Sequence, residues 1–262
     1  MLEQVCLLIG VASYATAALC VPAVTAARSD VRVRLTLTGL GLGVLALAMT
    51  ISARWLRIGH GPFLTLFEIL LSNLFSLGLV YALAYWRRPA IRPGALIALP
   101  VLALLGVWTL LESPEPTALP ASYDNLWLWV HVLAGKLFLG ALLVSAGLAG
   151  GLLLARVPQP VIEDADTMVW RWLGLAFVFQ SLMLLAGAAW AQDAWGRYWS
   201  WDPLETWAFL VWLCVGASLH QRLTYTLPER VEWACVVVIF VLALVTFLGV
   251  PFLSVAPHKG IA

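Results

Sequence analysis

Charge is scarce in this sequence. Only 11% of its 262 residues are Asp, Glu, Lys or Arg, where soluble domains carry about 25%. Hydrophobic residues make up 62% and the mean hydropathy is +0.93. No water-soluble interior hides that much apolar surface, so the solvent for most of the chain is lipid. A soluble enzyme, a secreted disulfide scaffold and a disordered regulator are all excluded. Fifteen basic residues against fourteen acidic ones leave a net charge of +1. There is no basic surplus for a nucleic-acid partner and no acidic tail.

Closely spaced cysteines are also missing. Cys6, Cys20, Cys214 and Cys235 fall singly inside apolar runs, which argues against a zinc site or a dithiol redox pair. No CxxCH occurs, so the chain carries no covalently attached haem of its own. The start, MLEQVCLLIG, lacks a positive n-region and runs straight into apolar sequence. It reads as a retained first span and not as a cleaved signal.

What is present is a series of long apolar runs. A span needs about 20 such residues, and windows of that length predict eight, at 4–26, 33–53, 64–86, 94–111, 128–155, 168–191, 204–222 and 232–254. Backbone in lipid must satisfy its own polar groups, so these are helices. The fold class expected is an all-α integral membrane protein of about eight helices, with residues 1–262 forming a single polytopic domain. Lys and Arg set the orientation. With the N-terminus outside, inner loops carry Arg28, Arg32, Arg34, Arg87, Arg88, Arg92, Arg156, Arg171, Arg222 and Arg230, against Arg54, Arg57, Arg197 and Lys259 outside. Ten against four favours both termini outside. The longest loops, 112–127 and 192–203, then lie on the outer face, the second between helices 6 and 7.

Residues 190–212 read WAQDAWGRYWSWDPLETWAFLVW and hold six of the fourteen tryptophans. An aromatic belt at the headgroups is the ordinary explanation for Trp at a helix end. A belt needs one or two rings per end, and it does not need Gly196, Arg197, Asp202, Pro203 and Glu205 woven between them. Trp195 and Trp199 are four apart and would share a face if the loop formed a short interfacial helix. Stacked indoles would then make a flat wall suited to a large planar ring, with polar groups at its edge for the ring's charged substituents.

WGRYWSWDPLETW resembles the tryptophan-rich WWD signature, WGxxWxWDxxExW, of the cytochrome c assembly proteins, and within them the CcsA/ResC branch. The matching residues, within 193–207, are Trp195, Gly196, Trp199, Trp201, Asp202, Glu205 and Trp207. GHGPFLTLFEIL is similar to that branch's GHFPLSNLYESL at Gly59, His60, Pro62, Leu66, Glu68 and Leu70, with Leu64 and Thr65 in place of Ser-Asn.

The four histidines take their meanings from this resemblance. His131, at the outer start of the fifth span, and His258, past the eighth, flank the Trp loop. The resemblance implies that they are the axial ligands of an outer haem, a role neutral imidazole fills well. His220, near the inner end of the seventh span, would be the intramembrane haem ligand, its partner ligand supplied by a ResB/Ccs1-type membrane protein. His60 reads as structural or as a lid. Glu68, a carboxylate inside a span, reads as a buried structural pair with Lys136 or with Asn73. Arg197 is a further supporting residue.

The function implied by the resemblance is a haem-handling subunit of a system II cytochrome c biogenesis complex, a component of a cytochrome c synthetase (haem lyase) together with a ResB/Ccs1-type partner. It would carry haem b, bound non-covalently in transit, and present it on the outer face for thioether attachment to apocytochrome c CxxCH thiols kept reduced by a thiol-reducing system. A bacterial inner membrane or a thylakoid would house it. Two rivals are a haem-delivery protein of the CcmC type, which loads a haem chaperone, and a b-haem quinol-oxidising electron-transfer subunit. The first usually has six spans. The second needs facing histidine pairs inside the bundle, where this chain offers His220 alone.

Overall fold

The computed structural model describes residues 2–23, 29–154 and 159–250. His258 lies outside the described residues, as do Arg28, Arg156 and Lys259 of the charge comparison. Among the described residues there are eight long helices and no strand: α1 Leu2–Ala23, α2 Ser29–Ile58, α3 Leu66–Arg87, α4 Ala95–Leu111, α5 Leu126–Leu154, α6 Gln159–Trp195, α7 Pro203–Thr224 and α8 Glu229–Leu244, continued by a π-helical turn, Val245–Gly249. Seven have the length and apolar composition to cross a membrane. The exception is α7, the expected seventh span. Its 22 residues are long enough, but Glu205 at one end and His220, Gln221 and Arg222 at the other shorten its apolar run.

The helices depart from the expected spans mainly at their ends. α6 runs 37 residues, from Gln159 to Trp195, well beyond the 168–191 window. Its early turns hold Asp166, whose carboxylate accepts from Arg222 Nη2 at 2.6 Å and from the Trp233 indole at 2.8 Å. Arg222 also pairs with Glu232. This polar knot joins α6, α7 and α8 at one end of the bundle and lets the charged residues remain helical there.

α5 occupies the centre because it is apolar all round. Every residue from Phe138 to Leu152 is buried, as expected for a helix without a polar stripe. It packs against α6, α3, α8 and α4, while α1 packs against α2 and α4.

At the end opposite the knot, a buried ion-pair cluster ties the helices together. Arg54, at the end of α2, is fully buried. It donates through Nε and Nη2 to Glu68 Oε1 at 3.0 and 2.8 Å, and through Nη1 to Glu3 at 2.9 Å and the Pro114 carbonyl at 3.0 Å. Glu68 also accepts from the backbone N–H of Leu64 at 2.9 Å and of Thr65 at 3.3 Å, closing a capping box with Thr65 at the start of α3. The expected structural pair therefore exists, but its partner is Arg54 and not Lys136 or Asn73. Lys136 instead donates to Ser72 Oγ at 2.7 Å and Asn73 Oδ1 at 3.3 Å.

Removing one member of a fully buried pair strands the other charge, which costs about 3–5 kcal/mol. Arg54→Ala should therefore sharply lower the unfolding temperature in detergent. Arg57→Ala should do much less, because Arg57 pairs with the same Glu3 from a half-exposed position that solvent screens. Equal losses in the two variants would mean that the cluster does not hold this end of the bundle.

Candidate functional site

The loop between α6 and α7 is shaped by its own motif. α6 stops at Trp195 because Gly196 takes the left-handed conformation, φ +72°, the usual glycine role after a helix end. Residues 196–202 form no helix. Asp202 then caps α7, with Pro203 in its first turn. Asp202 Oδ1 accepts from Glu205 N at 2.9 Å. Glu205 Oε2 reaches back to Ser200 N at 2.7 Å, Ser200 Oγ at 3.2 Å and Asp202 N at 3.4 Å. The two motif carboxylates thus close a second capping box. They hold Trp201 at φ +58°, a conformation that costs an L-residue about 1–2 kcal/mol.

The absence of an interfacial helix changes how the tryptophans meet. Trp195 lies edge-on to Trp190, centroids 4.8 Å apart and planes at 63°, while Trp199 meets Trp201 at 5.7 Å and 82°. The flat stack expected of Trp195 and Trp199 is replaced by two edge-to-face pairs. Trp199 and Trp201 wall an open apolar groove of about 440 Å³ with Phe209 and Trp212. Trp207 is 39% exposed and lines neither this groove nor the cavities below. Arg197 is exposed at the tip of the loop.

His131 stands beside this loop. Its Nδ1 lies 2.8 Å from the Met183 carbonyl. A carbonyl only accepts, so Nδ1 carries a proton; in the neutral ring the lone pair is then on Nε2, the tautomer in which imidazole ligates a metal. Trp190 stacks on the ring at 6.4 Å and 26°, and donates from its indole to the Ser122 carbonyl at 2.9 Å. Gly187 lets the ring approach α6: a Cβ there would sit 2.6 Å from Nδ1.

Two cavities flank His131 and share Met183 and Phe247 as walls. One, of about 120 Å³, is lined by Tyr198, Trp199, Leu204 and Glu205. The other, of about 160 Å³, is lined by Phe63, Asn73 and Lys136. The Trp199 indole Nε1 is buried with no hydrogen-bond partner among the described residues. A histidine, aromatic walls and an unsatisfied indole donor are groups that can hold an aromatic ligand, although neither cavity at His131 has by itself the volume of a macrocycle.

The remaining expected site residues lie elsewhere. His60 bridges loops, its Nε2 3.1 Å from the Thr117 carbonyl and its Nδ1 3.1 Å from the Gly61 carbonyl. Next to it, Trp129 stacks on Trp55 at 5.8 Å and 15° and meets Phe63 edge-on at 4.8 Å. His220 is exposed near the other end of α7, beside the Arg222 knot and about 25 Å along the helix axis from Pro203. Met183, Gly187 and Phe247 carry no sequence signal for the site, and Trp190 falls in the Trp-rich segment but outside its motif. Phe247 enters the site on the π turn, and a single apolar residue gives no sign of that. The capping boxes do have a sequence signal, in the spacing of Thr65 to Glu68 and of Asp202 to Glu205.

The fold and site define an all-helical membrane protein with a histidine and tryptophan site at one end of the bundle. The chain belongs to the cytochrome c assembly protein family, whose model, described as "Cytochrome C assembly protein", matches residues 35–258. Among its relatives, the cytochrome c biogenesis protein CcsA of Prochlorococcus marinus (strain AS9601) is 30% identical over 243 residues, covering 79% of this chain and 78% of that protein. CcsA of Chlamydomonas reinhardtii is 30% identical over 227 residues, covering 80% of this chain and 64% of that protein. A solved structure titled Cytochrome c Heme Lyase CcmF superposes with a TM-score of 0.78 at 20% identity, covering 94% of this chain. The chain spans 46% of that protein's length, and the likeness shows a shared membrane fold.

Proposed function

We propose that this chain is the haem-handling subunit of a cytochrome c synthetase, working with a ResB/Ccs1-type membrane partner. The observation that carries the reading is His131, held by Met183 in the ligating tautomer beside the Trp loop, in a chain of the cytochrome c assembly family. Haem b is the cargo. It is taken up from the inner side near His220 and delivered to the outer face, where His131 and His258 ligate the iron. The ten-to-four distribution of basic residues supports an outward Trp loop and outward termini.

The reaction served is addition of two apocytochrome thiols to the two haem vinyl groups. Each S–H adds across a C=C bond, forming a carbon–sulfur bond and placing the hydrogen on the neighbouring carbon, with no leaving group and no net oxidation. The chain's contribution is positioning. Holding vinyl and thiol together replaces a bimolecular encounter, and the aromatic walls exclude water from the ring.

The test is an absorption spectrum of the purified full chain, alone and with its partner. A low-spin bis-imidazole haem spectrum is the expected result. If the complex is isolated without haem and takes up none when haem is added, the reading fails.

A further inference from the structure

Glu68 belongs to Arg54, and this leaves Lys136 without a counter-ion among the described residues. Lys136 sits on α5 at its eleventh residue, about 15 Å from the start of the helix, in the most buried helix of the bundle. Its ammonium meets two neutral acceptors from α3, Ser72 Oγ and Asn73 Oδ1. The Ser72 hydroxyl spends its own proton on the Glu68 carbonyl at 2.7 Å, so its oxygen can only accept from lysine. Among the described residues no carboxylate lies within ion-pairing distance of Nζ. An ammonium at this depth is expensive in lipid and marks a functional site by default. A structural lysine would be expected to have an acid beside it.

Lys136 and Asn73 line the 160 Å³ cavity on the inner side of His131. Whole-ligand pockets run about 300–1,000 Å³, so this one cannot admit a macrocycle. It has room for a short carboxylate-bearing arm. His131 and Lys136 border the same cavity, five residues apart on α5, so a group held at one lies within reach of the other, about 7.5 Å further along the helix axis. The cavity on the other side of His131 is lined by Tyr198 and Trp199, with no cationic side chain among the described residues.

We propose that Lys136, with Asn73, seats one propionate carboxylate of the haem at His131, and so fixes which edge of the ring faces outward. The proposal rests on the haem reading above. The propionates and the vinyl groups occupy opposite edges of haem b. A propionate drawn inward to Lys136 turns the vinyl edge toward the Trp loop, where a thiol arriving from outside meets it. The third N–H of the ammonium completes the pairing, and a charge-assisted hydrogen bond shielded from water offsets the cost of burying both ions. Lys136 is thus a positioning residue for the substrate.

The test uses the full chain in detergent with two probes, haem b and its dimethyl ester, which keeps the iron, ring and vinyls but has no carboxylate. Binding is read from the Soret shift. Wild type should prefer haem b over the ester by about tenfold or more. Lys136→Met, which replaces the ammonium by an apolar group of similar length, should lose that preference by weakening haem b alone. Its unchanged affinity for the ester reports an intact site. If wild type binds both probes equally, or the preference survives in Lys136→Met, the assignment is wrong and the haem reading stands. If wild type binds neither probe, both are overturned.

Discussion

Replacing His131 by alanine should abolish outer-site haem and, with it, cytochrome c maturation. The two ring nitrogens would have different tasks under the proposal. Nδ1–H joins α5 to the Met183 carbonyl on α6, and Nε2 would be the nitrogen that holds iron. The plainest alternative is that His131 is only a tie between helices, and a third variant separates the two. His131→Asn retains a donor for the carbonyl but offers no imidazole. A tie predicts near-normal haem and activity in His131→Asn, whereas a ligand predicts losses as deep as in alanine. Added imidazole should restore part of the activity of His131→Ala, since it can occupy the vacated axial position. Gly187→Ala should act on the same bond from the other side. A Cβ 2.6 Å from Nδ1 and 3.0 Å from Cε1 forces the ring to move, so haem should bind with a weakened axial ligand and an altered spectrum. Full haem content in His131→Ala, at normal protein level, would remove this residue from the site.

Helices were legible in the sequence because lipid imposes a length and a composition on anything that crosses it. Their ends were not, because a helix does not have to stop at the membrane surface. α6 continues through Asp166 because Arg222, 56 residues away, neutralises it, and no local pattern reveals such a partner. Glu68 was recognisable as a buried carboxylate, yet its choice of Arg54 over Lys136 depended on how α2 and α3 meet. Local information was sometimes present and unused. Asp202 and Glu205 have capping-box spacing, and that spacing alone argues against a helical Trp loop, since a helix N-cap at Asp202 requires non-helical backbone there. Gly187 is the opposite case: nothing in GAAW shows that a glycine is needed, because the imidazole that needs it comes from another helix.

The Trp loop separates a haem platform from a membrane anchor. An anchor works through amphipathic bulk, so Trp199→Phe and Trp201→Phe would be nearly silent. A platform depends on ring area and on a loop held in one shape. Trp199→Ala combined with Trp201→Ala should leave the chain inserted and abundant but poor in outer-site haem. With the partner present, haem at His220 should persist or accumulate, because delivery stalls one step short. The capping box permits a sharper comparison. Glu205 accepts from Ser200 and Asp202, and glutamine serves at this capping position as well as glutamate does. Glu205→Gln should therefore keep the loop, Trp201 in its left-handed conformation, and most of the activity. Glu205→Ala releases all three donors and should fail as badly as the double tryptophan variant, while Asp202→Ala, which loses an N-cap contribution of about 1 kcal/mol, should fall between. If Glu205→Gln is as inactive as Glu205→Ala, the carboxylate charge itself acts on the substrate. If the double tryptophan variant keeps normal outer-site haem at normal protein level, the loop is an anchor and the platform is wrong.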